Sequence, residues 1–131
     1  MKAIEIGESR RDGYDTGPEH SADAVGNMGV LAVSSESLIR FIETTCYEVI
    51  RGRLDPGEGS VGVGFEFTHL APATAGTRVT VVATVAAVEG RKIDFDCEAQ
   101  DGGRVLMAGR HRRVVVDLAK FALRLSERSR P

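Results

Sequence analysis

Apolar residues recur with helical spacing in one long stretch of the chain, residues 34–52. At about 100° per residue, one face of this stretch collects apolar side chains and the opposite face collects charged and polar ones. The apolar face consists of Leu38, Ile39, Ile42, Cys46, Val49 and Ile50. Either Ser34 or Ser35 is suited to be the N-cap, and Gly52 is suited to be the C-cap. The pattern therefore predicts one central helix with defined ends.

After this helix, apolar and polar residues alternate as they do in β-strands. In the first such run, one set of residues is predicted to face the helix, and it comprises Val61, Val63, Phe65 and Phe67. Three further strands are predicted within residues 77–90, 91–103 and 104–118, a short first strand at residues 3–8, and a short closing helix after residue 117. Together these elements predict an α+β protein in which a curved antiparallel sheet wraps one central helix, which is the arrangement of the hotdog fold.

Length and charge narrow the classes of function. A chain of 131 residues has the size of one domain, so we expect residues 1–131 to form a single domain. A net charge of -2 gives no excess of positive charge for binding a phosphate backbone, which argues against a nucleic-acid partner. No apolar run approaches the roughly 20 residues of a membrane helix, and the first residues lack the apolar core of a secretory signal. We therefore predict a cytoplasmic protein without a membrane partner.

The two cysteines, Cys46 and Cys97, are far apart in the sequence. Neither has a cysteine or histidine neighbour at the spacing of metal ligands, so both are interpreted as small buried apolar residues. We expect neither a disulfide nor a metal site.

The segment "GEGSVGVGFEFTHLAPATAG" contains a G-x-G-x-x-G pattern at Gly57, Gly59 and Gly62. A dinucleotide-binding loop needs a strand before this pattern and a helix after it, so that the helix N-terminus meets the pyrophosphate. Here a helix precedes the glycines and a strand follows them. We therefore interpret them as turn glycines.

His69 ends the first strand after the helix. It has the same parity as the apolar residues of that strand, so it is predicted to point inward or toward the rim of a pocket. The alternative is a histidine that hydrogen-bonds a backbone carbonyl at the strand end.

Two polar residues of the predicted helix also allow both a functional and a structural interpretation. Glu43 lies at the edge of the apolar face, where a carboxylate either reaches water or is held half-buried. Ser35 lies within that face, where an N-cap role would explain it. Neither residue is assigned a function by its position alone.

The run "RHRR", residues 110–113, alternates between the two faces of a strand. Arg110 and Arg112 share one face, and His111 and Arg113 share the other. Whichever face covers the helix carries an arginine, and a half-buried arginine needs an anionic or carbonyl partner.

Two long segments resemble the fluoroacetyl-CoA thioesterase family, whose members are small single-domain hotdog hydrolases. They are "LDPGEGSVGVGFEFTHLAPATAGTRVTVVATVAAVEGRKIDF" and "DGGRVLMAGRHRRVVVDLAKF". The match runs without gaps from about Ser35 to the C-terminus. Two departures accompany it, because the threonine of the family is replaced by Ser35, and the segment Val25–Val33, "VGNMGVLAV", lacks the aromatic lid of the fluoroacetate-selective member. The resemblance therefore implies hydrolysis without the fluorine selectivity.

The same resemblance implies a set of site residues. Ser35, Glu43 and His69 match the catalytic positions, Gly62 matches a backbone amide that contacts the thioester, and Arg113 matches an arginine that orients the site. In the implied reaction, Glu43 assisted by His69 either attacks the acyl carbon or activates water. No cofactor is expected, because CoA is part of the acyl-CoA substrate. We also expect a homodimer with the active site at its interface, since one curved sheet leaves an unpaired strand edge.

Two other functions remain as alternatives. The segment "DTGPEH", Asp15 to His20, is similar to the Asp-x-Asn-Pro-x-His pattern of hotdog enoyl-CoA hydratases, with Gly17 and Glu19 departing from that pattern. The second alternative is a non-catalytic module that binds acyl-CoA or an acyl carrier. Neither alternative accounts for the three matched catalytic positions together.

Overall fold

The strands form one antiparallel sheet that packs against a central helix. The computed structural model describes residues 1–129, so the last two residues of the predicted 1–131 domain lie outside the described residues. The elements are β1 (Ser9–Asp15), α1 (Ser35–Arg51), β2 (Glu58–His69), β3 (Arg78–Glu89), β4 (Lys92–Asp101), β5 (Arg104–Asp117) and α2 (Leu118–Arg128), with short 3₁₀ turns at Pro18–His20 and Asp23–Val25. The strand order is β1-β3-β4-β5-β2, so β1 and β2 are the sheet edges. This architecture confirms the predicted α+β hotdog arrangement.

Helix α1 begins where its cap directs it. The backbone N–H of Ser37 donates to Ser34 Oγ at 3.0 Å, so Ser34 is the N-cap, and Gly52 follows the last turn. The face toward the sheet is buried and consists of Leu38, Phe41, Ile42, Thr45, Cys46 and Ile50. The predicted helix is confirmed, and the hydroxyl of Ser35 is left free for another partner.

The core lies between α1 and the inner face of β3, β4 and β5. Alternate residues of β3 and β4 are buried there, namely Val79, Val81, Ala83, Val85, Ile93, Phe95, Cys97 and Ala99. Cys46 on α1 meets Cys97 on β4 with 3.5 Å between the sulfur atoms. Both cysteines are buried as predicted, and the neighbouring thiol together with burial raises the pKa of Cys46.

The first strand lies later in the chain than predicted. β1 spans Ser9–Asp15 and pairs with β3 along its whole length, whereas residues 3–8 precede it. Gly7 adopts a positive φ of 94°, which interrupts an extended run, and Ile4 is buried ahead of that turn. The prediction was wrong because β1 is a polar edge strand whose backbone pairing, rather than apolar alternation, places it in the sheet.

Strand β2 contains a β-bulge that changes which side chains face the helix. Gly62 pairs with Arg113, but Gly64 pairs with Arg112, so Val63 is the extra residue. Paired residues of antiparallel strands project to the same face, and Gly62 therefore faces α1 together with Arg113. The predicted alternation placed Gly62 on the outer face. That prediction was wrong for the part of β2 that precedes the bulge.

Beyond the bulge, the predicted alternation holds. Phe65 pairs with the buried His111, and His69 pairs with the buried Met107, so the residues Phe65, Phe67 and His69 share the inner face. One inserted residue thus brings Gly62 and His69, which have opposite parity in the sequence, to the same side of the sheet.

The second helix follows β5 directly. Asp117 caps it by accepting from the backbone N–H of Lys120 at 3.0 Å, and Leu118 packs over Gly59 of β2. Its residues are largely exposed, in contrast to α1. Within residues 1–129, neither helix combines the length and apolar character needed to cross a bilayer.

Candidate active site

The start of α1 meets the end of β2 in a serine–histidine pair. Ser35 Oγ lies 2.8 Å from His69 Nδ1, and both side chains are exposed at the rim of the fold. Ser35 is available for this contact because Ser34 caps the helix. The hydrogen bond to a side chain, rather than to a backbone carbonyl, favours a chemical role for His69 over the purely structural alternative.

A second group of polar residues surrounds Glu43, two turns further along α1. Arg113 Nη1 donates to Glu43 Oε2 at 3.2 Å, its Nε donates to Ser60 Oγ at 3.1 Å, and its Nη2 donates to the Ser60 carbonyl at 3.0 Å. The arginine side chain is 6% exposed, whereas that of Glu43 is 40% exposed. The inward-facing arginine therefore has the anionic and carbonyl partners that its burial requires, and the Glu43 side chain stays partly open to solvent.

His111 lies beneath this ion pair and is only 1% exposed. Its Nδ1 lies 2.8 Å from the Gly64 carbonyl and its Nε2 lies 3.2 Å from Arg113 Nη1. Burial lowers the pKa of His111, with the positive charge of Arg113 acting in the same direction. Sequence reasoning placed His111 on the same face as Arg113 but gave it no role in the site. The signal that could have found it is its position two residues before Arg113, which places both side chains on the same face of the strand.

Gly62 forms the wall of the site next to the carboxylate. A Cβ atom at this position would lie 2.6 Å from Glu43 Oε2 and 3.0 Å from His111 Cε1, so a side chain there would displace the carboxylate. The bulge at Val63 turns this glycine inward. We call Glu43, Ser60, Gly62, His111 and Arg113 the Glu43 cluster.

The two groups of residues do not touch each other within the chain. Ser35 and Glu43 are eight residues apart on α1, which corresponds to about 12 Å along the helix axis at a rise of ~1.5 Å per residue. The hydrogen bonds join Ser35 to His69 and Glu43 to Arg113, and none of those recorded within residues 1–129 links one pair to the other. Of the five predicted site residues, Ser35 and Glu43 thus lie on α1, and Gly62, His69 and Arg113 lie on the helix-facing side of β2 and β5. They form two groups rather than one.

The remaining arginines of the "RHRR" run face away from α1. Arg110 Nε donates to Asp96 at 3.0 Å, and Arg112 holds Asp94 through two hydrogen bonds of 2.6 and 3.0 Å. Arg112 holds the pKa of the Asp94 carboxyl below its usual range. These arginines belong to ion pairs on the outer face of the sheet rather than to the site.

The hydratase-like segment does not bring its acid and its histidine into contact. Asp15 pairs with Arg78 at 2.7 Å and projects into solvent, whereas His20 Nδ1 accepts from the backbone N–H of Gly17 at 3.0 Å. Among residues 1–129, no three His, Cys, Asp or Glu side chains are arranged to hold a metal ion.

Comparison with known proteins gives matches over most of the chain. The family model for the fluoroacetyl-CoA-specific thioesterase, FlK, matches residues 17–119. The fluoroacetyl-CoA thioesterase of Streptantibioticus cattleyicolor is 34% identical over 92 residues, which cover 70% of this chain and 66% of that enzyme, just under two thirds of its length.

Solved structures are also similar across almost the whole fold. A threonine-to-serine variant of the fluoroacetyl-CoA thioesterase FlK, in complex with acetyl-CoA, aligns with a TM-score of 0.91 at 26% identity, over 97% of this chain and 100% of that one. A hot-dog-like protein from Thermanaerovibrio acidaminovorans aligns with a TM-score of 0.89 at 27% identity, over 96% of this chain and 93% of that one.

Proposed function

Because the chain belongs to the fluoroacetyl-CoA-specific thioesterase family, we propose that it hydrolyses a small acyl-CoA thioester to the free acid and CoA. The observation that carries the proposal is the hydrogen bond between Ser35 and His69, since both residues lie at positions that match the catalytic set. Acetyl-CoA bound to a threonine-to-serine variant of FlK supports an acyl-CoA substrate. The cytoplasmic location and the absence of a cofactor stay predictions.

In the proposed reaction, the Ser35 hydroxyl and the backbone N–H of Gly62 hold the thioester oxygen, where negative charge develops. Glu43 either attacks the acyl carbon, giving CoA thiolate and a mixed anhydride that water then cleaves to the free acid and Glu43, or removes a proton from a water that attacks the thioester directly. In both routes His69 supplies the proton that CoA takes up. Water must hydrolyse the anhydride of the covalent route, so a single turnover in ¹⁸O-labelled water tests it. Label in the Glu43 carboxyl requires the covalent route with water attacking the Glu43 carbon, whereas label in the product acid alone shows that water attacked the acyl carbon.

A second copy of the chain would complete the site. β2 is an unpaired sheet edge on which Val63 and Phe65 are 54% and 50% exposed, and such an edge needs a cover. Pairing of two β2 strands would join the sheets of two subunits. We expect this pairing to bring the Ser35–His69 pair of one copy toward the Glu43 cluster of the other, which would account for the separation of about 12 Å within one subunit.

The acyl group is proposed to be small and not selected for fluorine. The segment Val25–Val33 carries no aromatic side chain, and its Met28 and Leu31 are exposed. We therefore expect hydrolysis of fluoroacetyl-CoA and acetyl-CoA at rates that differ only modestly.

The test is a panel of acyl-CoA thioesters of increasing chain length, with released thiol measured for the wild type and His69→Ala. We expect thiol release from the short thioesters and a loss of at least about 10²-fold in the variant. Saturable binding of acyl-CoA without thiol release, unchanged by His69→Ala, would favour the binding module instead. Hydration of crotonyl-CoA without thiol release would favour the hydratase.

A further inference from the structure

We propose that His111 is a positioning residue, whose unprotonated Nε2 fixes the Arg113 guanidinium and through it the Glu43 carboxylate beside Gly62. The effect of His111 on rate rests on the proposed thioesterase function. The arrangement of the three side chains can be tested without any substrate.

The hydrogen bonds of His111 define its tautomer. A carbonyl oxygen only accepts, so the contact of 2.8 Å to the Gly64 carbonyl requires a proton on Nδ1. In a neutral imidazole, Nε2 is then an acceptor, and it faces Arg113 Nη1 at 3.2 Å. The histidine therefore connects the backbone just after the β2 bulge to the guanidinium.

Almost every hydrogen-bond donor of the Arg113 guanidinium has a partner. Nη1 has two hydrogens and two acceptors within reach, Glu43 Oε2 and His111 Nε2, both at 3.2 Å. Nε and Nη2 each donate to Ser60. Without the His111 acceptor, one hydrogen of a nearly buried cation would lose its partner, and rotation of the guanidinium would move the hydrogen that Glu43 accepts.

The surroundings of His111 favour its neutral form. Its ring lies 4.6 Å from the ring of Phe65 at 33° and 6.4 Å from that of Phe67, and it pairs across the sheet with the buried Phe95. The ionisable groups that face it are Arg113 on β5 and Glu43 on α1. Burying the polar imidazole ring of His111 costs free energy that burying an apolar side chain would not cost. The hydrogen bond that its Nε2 accepts from Arg113 offsets this cost.

Two substitutions of His111 test the roles of its two ring nitrogens separately. His111→Gln places an amide oxygen near the position of Nε2 and keeps an acceptor for Arg113. His111→Asn reaches only the position of Nδ1, so it keeps the donor to Gly64 and loses that acceptor. We expect kcat to fall at least about 10-fold in His111→Asn with KM nearly unchanged, and to stay within a few-fold of wild type in His111→Gln.

Equal rates in the two variants, with both folded by circular dichroism, would overturn the proposal, since a role in packing or in holding β2 predicts no rescue by glutamine. If only the Nδ1 donor mattered, His111→Asn rather than His111→Gln would keep a rate close to that of the wild type.

A measurement on the wild-type protein needs no activity. ¹⁵N shifts of the His111 ring should show Nδ1 protonated and Nε2 unprotonated at pH 7, and the Nε2 shift should change in Arg113→Met as its hydrogen bond is lost. A ring protonated on Nε2, or an Nε2 shift that does not respond to Arg113→Met, would contradict the proposal even in a protein that hydrolyses no thioester. If the ring behaves as expected but no acyl-CoA is hydrolysed, the thioesterase function alone fails.

Discussion

Two adjacent serines at the start of α1 have different partners. Ser34 accepts from the N–H of Ser37 and caps the helix, whereas Ser35 contacts His69. Ser34→Ala should therefore lower the free energy of unfolding by about 1 kcal/mol and leave the rate nearly unchanged. Ser35→Ala should lose part of the rate at nearly constant stability, and Ser35→Thr should retain the wild-type rate. Melting temperature and thiol release from the same samples check this, and a rate loss confined to Ser34→Ala would reverse the assignment.

Glu43 neutralises a nearly buried arginine, so it should contribute to stability as well as to the proposed chemistry. Glu43→Gln should reduce hydrolysis by at least about 10²-fold and lower the free energy of unfolding by roughly 1–3 kcal/mol, as Arg113 loses its anionic partner. Glu48→Gln on the same helix is the matched control, since Glu48 pairs with the exposed Arg51. Denaturant unfolding and initial rates measure both effects. Equal rates in the two variants would remove Glu43 from the mechanism.

The lowered pKa of His111 predicts how stability depends on pH. Because the ordinary pKa is 6.5 and the native value is lower, the unfolded chain takes up the proton first as the pH falls below about 6.5. The free energy of unfolding should then decrease until the native pKa is reached, and it should be unaffected by this group at higher pH. Denaturant unfolding between pH 7.5 and 5 should give a shallower decrease for His111→Gln. Parallel curves for the variant and the wild type would contradict the shift.

At the scale of elements, the bulge in β2 sets the geometry of the Glu43 cluster. Gly62→Ala would place a methyl group 2.6 Å from Glu43 Oε2, so the carboxylate must move and hydrolysis should fall by at least about 10-fold. Gly52→Ala is the control, because that position has a negative φ and open space around it. Kinetics and melting curves of both variants test this. A fully active Gly62→Ala would mean that the carboxylate position is not critical.

At the scale of the whole molecule, the exposed edge of β2 predicts how two copies would associate. Val63→Lys adds a charge to this edge and should give a monomer of about 14 kDa with little activity, if the site is shared between subunits. Ile6→Lys is the control, as Ile6 is also apolar and exposed but lies near the other edge of the sheet, where the next residue, Gly7, donates to the Val85 carbonyl of β3. Sedimentation and thiol release measure both properties. A wild-type monomer with full activity would exclude both the dimer and the shared site.

The main elements were predictable because their signals are local. The helical repeat of α1 and its flanking serine and glycine define a 17-residue helix, and the alternation in β3 and β4 marks strands whose inner residues are mostly buried. The residue types at Ser35, Glu43 and His69 were likewise visible in the chain. The resemblance to the family supplied roles for these residues that periodicity alone could not supply. Without it, a purely structural role explained each residue equally well.

Other features depended on partners distant in the sequence. β1 is set by its pairing with β3, and the bulge at Val63 is set by the register of β2 against β5. That one extra residue reverses the face of Gly62, and no alternation of apolar and polar residues reports it. The inward turn of His111 and Arg113 follows from the same register. Periodicity gives the faces of each strand, but which face meets the helix is decided by the strands beside it, so the site could be assembled only in three dimensions.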